Sequence, residues 1–578
     1  IPLALSVLAL AFCVEAFARR AFRSTHAGLY AALVLLSSPG IFLFTRILLP
    51  DAMLCLWIAL ALYCFWLAEQ RLEKSESTSW LCYGFAACCA LGVLTKGFIG
   101  VVFPAGIVVL YLLLSRGLRG AVHRLLRLHP FSSTGIFFLL AAPWHLLAAW
   151  QNPTRGYPGS VTFTLHPALG ASHFFVPLPT QSNVHGWAWF YFINEQVLRY
   201  LNARVPRDYD TVPLWLFWGL CLLWLMPWSA FIFHAISRAL SVLSADCRQR
   251  LRMHALDECE RSQLLLLIWA LTPLIFFSFS TRQEYYVLPS LPPLGVLVAG
   301  WLAFRAPTKG EAEVHRRTNL RCTAAVLAFG TIFAIAAVYF VIHSRTPAPN
   351  TDLASLLSQN PGDYALSMGH FLDLDARALA LFRLPLLLAA AGLFLGPLAS
   401  YLLRRRARPH AATLALAAGA FGFLLAAHLG LQTFAPVLSS AQLAKSIASQ
   451  VQPGDLIVIH QEYEFGSTLG FYLQRPAYAF TDMGRTPVDP IHILTEPKYH
   501  GTRDYGRSSN LWYGSFFPDA PAIFETERSL AAKWRGPQRV FLWQDLGDQP
   551  APLPKLPGPV YILARSGGKE IVSNQPNH

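Results

Sequence analysis

Long apolar runs recur along most of this chain, and they leave little room for a soluble fold. Of the 578 residues, 54% are hydrophobic and 13% are charged, and the mean hydropathy is +0.41. Apolar runs of about 17–25 residues cross the hydrocarbon core of a bilayer as helices. The sequence therefore predicts an α-helical polytopic membrane protein with twelve membrane segments, at residues 1–18, 27–45, 52–69, 79–95, 98–115, 134–150, 213–236, 263–279, 287–304, 322–343, 379–403 and 409–431.

The charges between these segments predict the orientation of the chain. Every second connection is rich in arginine and lysine, whereas the short turns between them carry the single cations Arg46, Lys96 and Arg282. Basic loops stay in the cytoplasm. This rule explains the net charge of +14 better than nucleic-acid binding does. It places the three single cations, Asp51 and the 151–212 loop on the extracytoplasmic face.

Two domains are predicted. Residues 1–431 form a transmembrane domain, and the aromatic run from Trp187 to Phe192 suggests interfacial helices in its 151–212 loop. Residues 432–578 form a small extracytoplasmic α/β domain, with strands at 456–459, 476–480, 540–543 and 560–563 and a helix at 465–473. The chain opens with Ile1 inside an apolar run, so we expect further residues before it.

The ten cysteines do not indicate a metal site. They show no CxxC motif and no zinc-like spacing, so we interpret them as buried apolar thiols. Their positions are Cys13, Cys55, Cys64, Cys82, Cys88, Cys89, Cys221, Cys247, Cys259 and Cys322.

Asp51 is the first candidate for chemistry, because an ionisable group at a membrane turn is costly. Pro50 precedes it, so it can serve as a helix N-cap favoured by the helix dipole. Arg46, five residues earlier, is its expected partner. A carboxylate at the edge of a membrane cavity can also orient a hydroxyl or hold a cation.

The other outer-face candidates each have an ordinary explanation and a functional one. Lys96 can extend to the interface, or it can be paired. Glu195 and Arg199 can form a surface i,i+4 pair, or Arg199 can bind a phosphate. Arg282, Tyr285 and Tyr286 can form a plain turn with interfacial tyrosines, or they can join the site.

Together these side chains suit a reaction on a phosphate-bearing lipid at the outer leaflet. Cations stabilise a departing phosphate, and a carboxylate can accept a proton from an attacking hydroxyl. Aromatic rings and apolar grooves hold a lipid tail and the face of a sugar.

An ordered set of short motifs resembles a known family. The set runs through Ala27–Ala32, Ser37-Ser38-Pro39, Arg46–Asp51, Leu94–Gly97, Pro143-Trp144, Phe192–Tyr200, Pro227-Trp228 and Phe276–Pro293. It is similar to the bacterial branch of the dolichyl-phosphate-mannose-protein mannosyltransferase group, which includes the lipid A aminoarabinose transferases. The resemblance covers roughly residues 1–305.

The resemblance implies a membrane glycosyltransferase of the C-type fold in the bacterial inner (plasma) membrane. Such enzymes move a sugar from a polyprenyl-phosphate donor to an acceptor on the periplasmic face, usually with inversion. They have thirteen transmembrane helices and a periplasmic C-terminal domain. The acceptor is left open between lipid A, a protein hydroxyl and a cell-envelope glycan, and the sugar is open too.

Matched to the family's motifs, Asp51 is the acidic residue of the second outer loop. Lys96 is the lysine of its Thr-Lys-Gly turn, and Glu195 and Arg199 are the charged pair of its long loop. Arg282 and Tyr286 match a basic residue and a tyrosine of a later outer turn. We expect these residues, with Arg46 and Tyr285, to surround the donor phosphate and sugar.

Two departures from the family pattern concern its chemistry. The family's principal catalytic carboxylate lies in a first outer loop that would precede Ile1, so Asp51 is expected to be a second carboxylate. Some members have a histidine after the loop glutamate, associated with a divalent metal, where this chain has Gln196. That difference argues against a metal site and against a close aminoarabinose transferase.

A multi-pass transporter or flippase for a lipid-linked glycan is the alternative function. Such proteins often have inverted repeats, and their ionisable residues lie near the middle of the bilayer. This sequence shows no such repeat, and its charges lie at the outer helix ends. A non-catalytic relative or a polymer ligase is a third reading.

Overall fold

The computed structural model describes residues 1–577 except 48, 167–170, 207–210, 242–255, 347–351, 357–376, 461–462, 475–489, 495–509 and 547–553. Packing divides the chain into two compact units. The first consists of Ile1–Gln151, Thr211–Tyr339 and Leu386–Ala427, and the second of Asn152–Asp210, Phe340–Pro385 and His428–His578. The boundary predicted at residue 431 stays a prediction.

Long apolar helices make up the first unit, as the sequence predicts. In the described ranges, 10 helices are long and apolar enough to cross a membrane, or up to 12 if each of two bent pairs is one span. The bent pairs are Thr25–Leu36 with Pro39–Arg46 and Leu214–Trp224 with Ser229–Leu240. The single helices are Pro2–Ala21, Asp51–Glu73, Ser79–Lys96, Ile99–Arg127, Pro130–Gln151, Glu258–Ser278, Glu284–Leu302, Lys309–His343, Arg383–Arg405 and Pro409–Leu438.

Glycines end or break two of these helices beside charged side chains. Gly97 has φ of 85°, a left-handed conformation that costs glycine least, and it ends the Ser79–Lys96 helix directly after Lys96. Gly117, with φ of 66°, interrupts the Ile99–Arg127 helix. The sequence predicts a membrane segment ending at 115 followed by a basic loop, and that loop is helical.

The Asp51–Glu73 helix is one of the more buried helices of the first unit. It packs against the Pro2–Ala21, Ser79–Lys96 and Ile99–Arg127 helices. Trp66 is fully buried and stacks on Phe17 with ring centroids 6.1 Å apart. Because this helix is surrounded by protein, charged groups near its ends must be neutralised by neighbouring helices.

Glu69, near the end of that helix, is neutralised by two arginines that the sequence did not single out as its partners. Its side chain is only 1% exposed. Arg116 donates to one carboxylate oxygen at 2.9 Å and Arg124 to the other at 2.8 Å. Arg116 and Arg261 also pair with Glu73. The cluster ties three helices together at the end of the bundle that the charge pattern assigns to the cytoplasm.

The second unit contains a six-stranded mixed sheet in the order β5-β4-β3-β6-β8-β7. Strands β3 to β6 pair in parallel, and β7 and β8 pair in antiparallel fashion on one edge. Their bounds are β3 Leu456–His460, β4 His492–Leu494, β5 Phe524–Glu525, β6 Val540–Asp545, β7 Tyr561–Ser566 and β8 Lys569–Ser573. Helices at Ala441–Ile447, Tyr463–Leu473, Asn510–Gly514 and Glu527–Trp534 accompany the sheet.

The α/β class predicted for the C-terminal region is confirmed. Strands form where the sequence predicts them at β3, β6 and β7, and a helix forms at Tyr463–Leu473. The strand predicted at 476–480 lies outside the described residues, as does Cys247. The prediction missed β4, β5 and β8. The first two have only three and two residues, and β8 carries Lys569 and Glu570 at its start.

The 151–212 loop also belongs to the second unit. It begins with an antiparallel hairpin of β1 Thr162–His166 and β2 Ala171–Phe175. The aromatic run then forms one short helix, Trp187–Trp189, that continues as a π-helix over Phe190–Leu198. Helical structure therefore occurs where the aromatic residues suggested it.

We expect Glu69→Gln to lower the free energy of unfolding by about 3–5 kcal/mol, because it removes the buried carboxylate that Arg116 and Arg124 share. Glu76→Gln is the matched control, since Glu76 is 51% exposed and meets Arg71 at 3.7 Å. It should cost less than about 1 kcal/mol. Unfolding in detergent measures both, and equal losses in the two variants would contradict the role given to Glu69.

Candidate active site

Asp51 is the first residue of the Asp51–Glu73 helix, and it is buried. Only 2% of its surface is exposed. Pro50 occupies the N-cap position, and no side-chain cap is made there. The prediction that Asp51 is the N-cap is therefore wrong, because Asp51 lies one residue inside the helix. Its charge still lies in the first turn, where the helix dipole favours an anion. Its carboxylate forms an ion pair with Lys96 instead.

Lys96 reaches Asp51 from the last turn of the Ser79–Lys96 helix. Its side chain is 20% exposed. The ammonium also lies 4.5 Å from the ring centroid of Tyr285 and 5.5 Å from that of Tyr286, within cation–π range. Lys96 is therefore paired and enclosed by aromatic rings, which settles the choice between pairing and extension to the interface.

The two tyrosines are held by other rings. They begin a 3₁₀-helix over Glu284–Ser290. Tyr286 packs on Phe277 with centroids 4.4 Å apart, and Tyr285 meets Phe44 at 5.9 Å. Four predicted site residues, Asp51, Lys96, Tyr285 and Tyr286, thus form one group, which we call the Asp51 cluster.

Arg46 does not pair with Asp51, so the partner expected from the sequence is wrong. Its guanidinium lies 3.5 Å from the ring centroid of Phe42 and donates to the carbonyl of the same residue at 3.3 Å. Arg46 ends the Pro39–Arg46 helix, and its side chain turns back along that helix. Lys96 takes the place of Arg46 because it approaches Asp51 from a neighbouring helix.

Arg282 is held by the backbone of its own turn. Its Nε donates to the carbonyl of Val212 at 2.8 Å, and its Nη1 donates to the carbonyls of Ser278 and Ser280 at 3.2 and 3.0 Å. The amide of Val212 donates in return to the carbonyl of Arg282 at 2.9 Å. These bonds fix the turn that leads to Tyr285, and the predicted contact of Arg282 with a donor phosphate stays a prediction.

Glu195 and Arg199 form a second group, within the other unit. Arg199 donates to Glu195 at 3.1 Å, which is the i,i+4 pair expected from the sequence. Arg204 donates to the other carboxylate oxygen of Glu195 at 2.7 Å and to the side chain of Asn510 at 2.6 Å. Glu195 thus pairs with two arginines, and these three side chains together have a net charge of about +1.

Sequence reasoning missed Arg204 and its support. The buried amide of Asn194 donates to the carbonyl of Val205 at 2.5 Å and accepts from the amide of Val205 at 3.0 Å. This clamp folds the chain back so that Arg204 meets Glu195, nine residues earlier, a separation that no regular helix spacing reveals. Asn194 itself was available as a signal, because it directly precedes Glu195 in the matched motif.

The described residues offer no ligand set for a divalent metal. No three His, Cys, Asp or Glu side chains among them gather in one place. The Asp51 cluster can supply a carboxylate for proton transfer, an ammonium to meet negative charge, and ring faces for a sugar.

A family model and several curated proteins of one kind resemble the chain. A family model described as dolichyl-phosphate-mannose-protein mannosyltransferase matches residues 2–156. An undecaprenyl phosphate-alpha-4-amino-4-deoxy-L-arabinose arabinosyl transferase of Erwinia tasmaniensis is 25% identical over 336 residues, which are 58% of this chain and 49% of that protein. The corresponding transferase of Aeromonas salmonicida is 26% identical over 251 residues, which are 43% of this chain and 36% of the other.

A solved structure matches nearly the whole fold. It is the crystal structure of ArnT from Cupriavidus metallidurans bound to undecaprenyl phosphate, with a TM-score of 0.65 and 19% identity. The match covers 99% of this chain and 83% of that one. The resemblance seen in the motifs and the predicted fold class are thereby confirmed, and the chain is a multi-pass membrane protein. It spans about half the length of the curated relatives it matches.

We expect Lys96→Met to destabilise the protein by about 3 kcal/mol, because it removes the ammonium that pairs with the buried Asp51 carboxylate. The double variant Asp51→Asn with Lys96→Met should regain most of that loss, since no charge remains unpaired. Thermal unfolding in detergent gives the comparison. Lys445→Met, which removes an exposed lysine in the Ala441–Ile447 helix, is the control. A double variant as unstable as the sum of the singles would contradict the pairing.

Proposed function

We propose that this protein is a membrane glycosyltransferase that transfers a sugar from a polyprenyl-phosphate donor to an acceptor on the periplasmic face of the bacterial inner membrane. The observation that carries the proposal is the Asp51 cluster, in which a buried carboxylate and an ammonium meet under two tyrosine rings. A purely structural ion pair does not need to lie beside sugar-sized ring faces at a helix end.

The roles follow from the charges of the groups. Lys96 meets the negative charge that grows on the phosphate as the bond from sugar to phosphate breaks. Asp51, paired with Lys96, accepts hydrogen bonds from the sugar or from the acceptor hydroxyl. We assign it the role of second carboxylate. Tyr285 and Tyr286 present ring faces, against which the apolar face of a sugar packs.

The second group, taken by itself, also suits phosphate. Arg199 and Arg204 both pair with the carboxylate of Glu195, which brings two guanidinium groups close together. Arginine suits phosphate because its planar fork donates two parallel hydrogen bonds. We propose that Arg199 binds the donor phosphate and that Arg204 holds Glu195 in place. Arg46 and Arg282 add positive potential at the same face by the predicted topology.

The names of the relatives suggest which donor to try first. The curated relatives are named for undecaprenyl phosphate-linked 4-amino-4-deoxy-L-arabinose, and the matching crystal structure is of a complex with undecaprenyl phosphate. We propose undecaprenyl phosphate as the carrier and inversion at the sugar carbon. Lipid A, a protein hydroxyl and a cell-envelope glycan remain the candidate acceptors.

The test is discharge of undecaprenyl-phosphate sugars by the purified protein in liposomes. The donor panel contains 4-amino-4-deoxy-L-arabinose, mannose and glucose, each offered with a bacterial cell-envelope extract as acceptor. We expect release of undecaprenyl phosphate from at least one donor. Lys96→Met and Asp51→Asn should each slow it by about 100-fold, which corresponds to about 2.7 kcal/mol of transition-state stabilisation.

Two further measurements separate loss of chemistry from loss of folding. Lys445→Met should keep the wild-type rate, and the double variant that restores stability should stay inactive. Movement of an intact lipid-linked sugar across the liposome membrane, with no sugar transferred, would instead favour the flippase reading and would contradict the proposal.

A further inference from the structure

A cavity opens at the opposite end of the first unit from the Asp51 cluster. Its volume is about 360 Å³. The wall is built from the start of the Thr25–Leu36 helix, the segment around the start of the Lys309–His343 helix, and the turn between Arg383–Arg405 and Pro409–Leu438. The charge pattern assigns all three of these connections to the cytoplasm. We call this cavity the Arg404 cavity.

The lining is basic. It contains three arginines and three histidines, and no aspartate or glutamate, among the residues that the structure describes. These six are Arg305, Arg316, Arg404, His26, His315 and His410. Arg316 has a partner outside the lining, because it forms a two-bond pair with Glu313 at 2.8 and 2.9 Å. Arg305 and Arg404 have no such carboxylate within the described ranges.

Arg404 is the feature that needs an explanation. The residue is only 5% exposed. Its Nη2 makes a long hydrogen bond of 3.4 Å to the hydroxyl of Thr413, and its Nε is buried with no hydrogen-bond partner. Burying a guanidinium without a counter-charge costs several kcal/mol. Elsewhere in this unit, at Glu69 and at Asp51, buried charges are matched.

The backbone holds Arg404 firmly in this position. Gly396 and Gly419 bring the last two helices of the unit into direct backbone contact, because a Cβ on Gly396 would lie 2.5 Å from the Cα of Gly419. Across the cavity, Tyr30 bonds the Nδ1 atom of His410 at 3.0 Å, and the ring of His26 lies 4.7 Å from that of His410. The cavity is therefore built from fixed groups.

We propose that the Arg404 cavity binds a phosphate group, which supplies the counter-charge that Arg404 lacks. Guanidinium groups bind phosphate by paired hydrogen bonds, and His26 and His410 add two further imidazole rings to the lining. The cavity lies where membrane helices end, at the level of lipid phosphates. The phosphate can come from an anionic phospholipid or from a soluble phosphate compound.

The experiment follows the unfolding temperature of the full chain in phosphatidylcholine nanodiscs. One arm adds inorganic phosphate, and the other uses nanodiscs with increasing phosphatidylglycerol. We expect a saturable rise in unfolding temperature in at least one arm. A rise with phosphatidylglycerol alone identifies a lipid, and a rise with inorganic phosphate alone identifies a soluble ligand. No saturable rise in either arm overturns the proposal.

Arg404→Gln and Arg405→Gln form the decisive comparison, because both remove one arginine from the same turn and only Arg404 lines the cavity. We expect Arg404→Gln to weaken the apparent affinity at least about tenfold, and Arg405→Gln to change it less than about threefold. Equal effects would show general attraction to a basic turn and would overturn the site.

A second variant guards against misfolding. Without ligand, Arg404→Gln should unfold at or above the wild-type temperature, since an unmatched charge has gone. If Arg404→Gln unfolds at a lower temperature than the wild type, Arg305→Gln replaces it in the binding comparison. Arg305 lines the cavity and is exposed, so its removal should not disturb folding. It should weaken binding about threefold or more while Arg405→Gln does not. No difference between those two variants would also overturn the proposal.

Discussion

A charge placed among apolar helices must be matched by an opposite charge, and the first unit is organised by that constraint. The Asp51–Glu73 helix carries a buried carboxylate near each end, Asp51 and Glu69, eighteen residues apart. At 1.5 Å per residue they are separated by about 27 Å, close to the thickness of a bilayer core. Lys96 matches the first, and Arg116 and Arg124 match the second. The two matched charges therefore fix the depth and the neighbours of this helix.

The same constraint separates structural charges from charges that await a ligand. Glu69 has two arginines on one carboxylate, which is a closed arrangement. Asp51 is paired with one lysine, which lies beside two tyrosine rings at the helix end that the charge pattern assigns to the outer face. Arg404 has no carboxylate among the described residues, so its counter-charge must come from elsewhere. Arg404 thus differs from Glu69 and Asp51, whose charges are matched by neighbouring helices.

Much of the fold could be predicted because the bilayer imposes length and charge rules. Apolar runs predicted the spans, and the buried β3 and β6 strands of the C-terminal sheet were visible as short apolar runs. Lys96 stood out as a single cation at the predicted outer face, and Tyr285 and Tyr286 as tyrosines of the Arg282 turn. The structure brings Lys96 to Asp51 and both rings to Lys96. Four of the eight predicted site residues therefore lie together in the Asp51 cluster.

The side-chain pairs could not be predicted, because they join residues that are far apart in the sequence. Arg46 is nearer to Asp51 in sequence than Lys96 is, yet Lys96 is its partner, because helix packing decides which side chain arrives. Arg204 meets Asn510 across 306 residues. Glu69 lay at the end of a predicted span, and its two arginines lay in a predicted loop that is helical. Pairing across helices is a property of the packed bundle.

Locating a bound carrier lipid tests the central claim most directly. A cryo-electron microscopy structure of the protein in nanodiscs containing undecaprenyl phosphate would show where the phosphate lies. We predict a phosphate within hydrogen-bonding distance of the Lys96 ammonium, with Tyr285 and Tyr286 beside it. A phosphate bound at the outer face away from Lys96, with the Asp51–Lys96 pair closed and unchanged, would contradict the assignment of this cluster as the site of transfer.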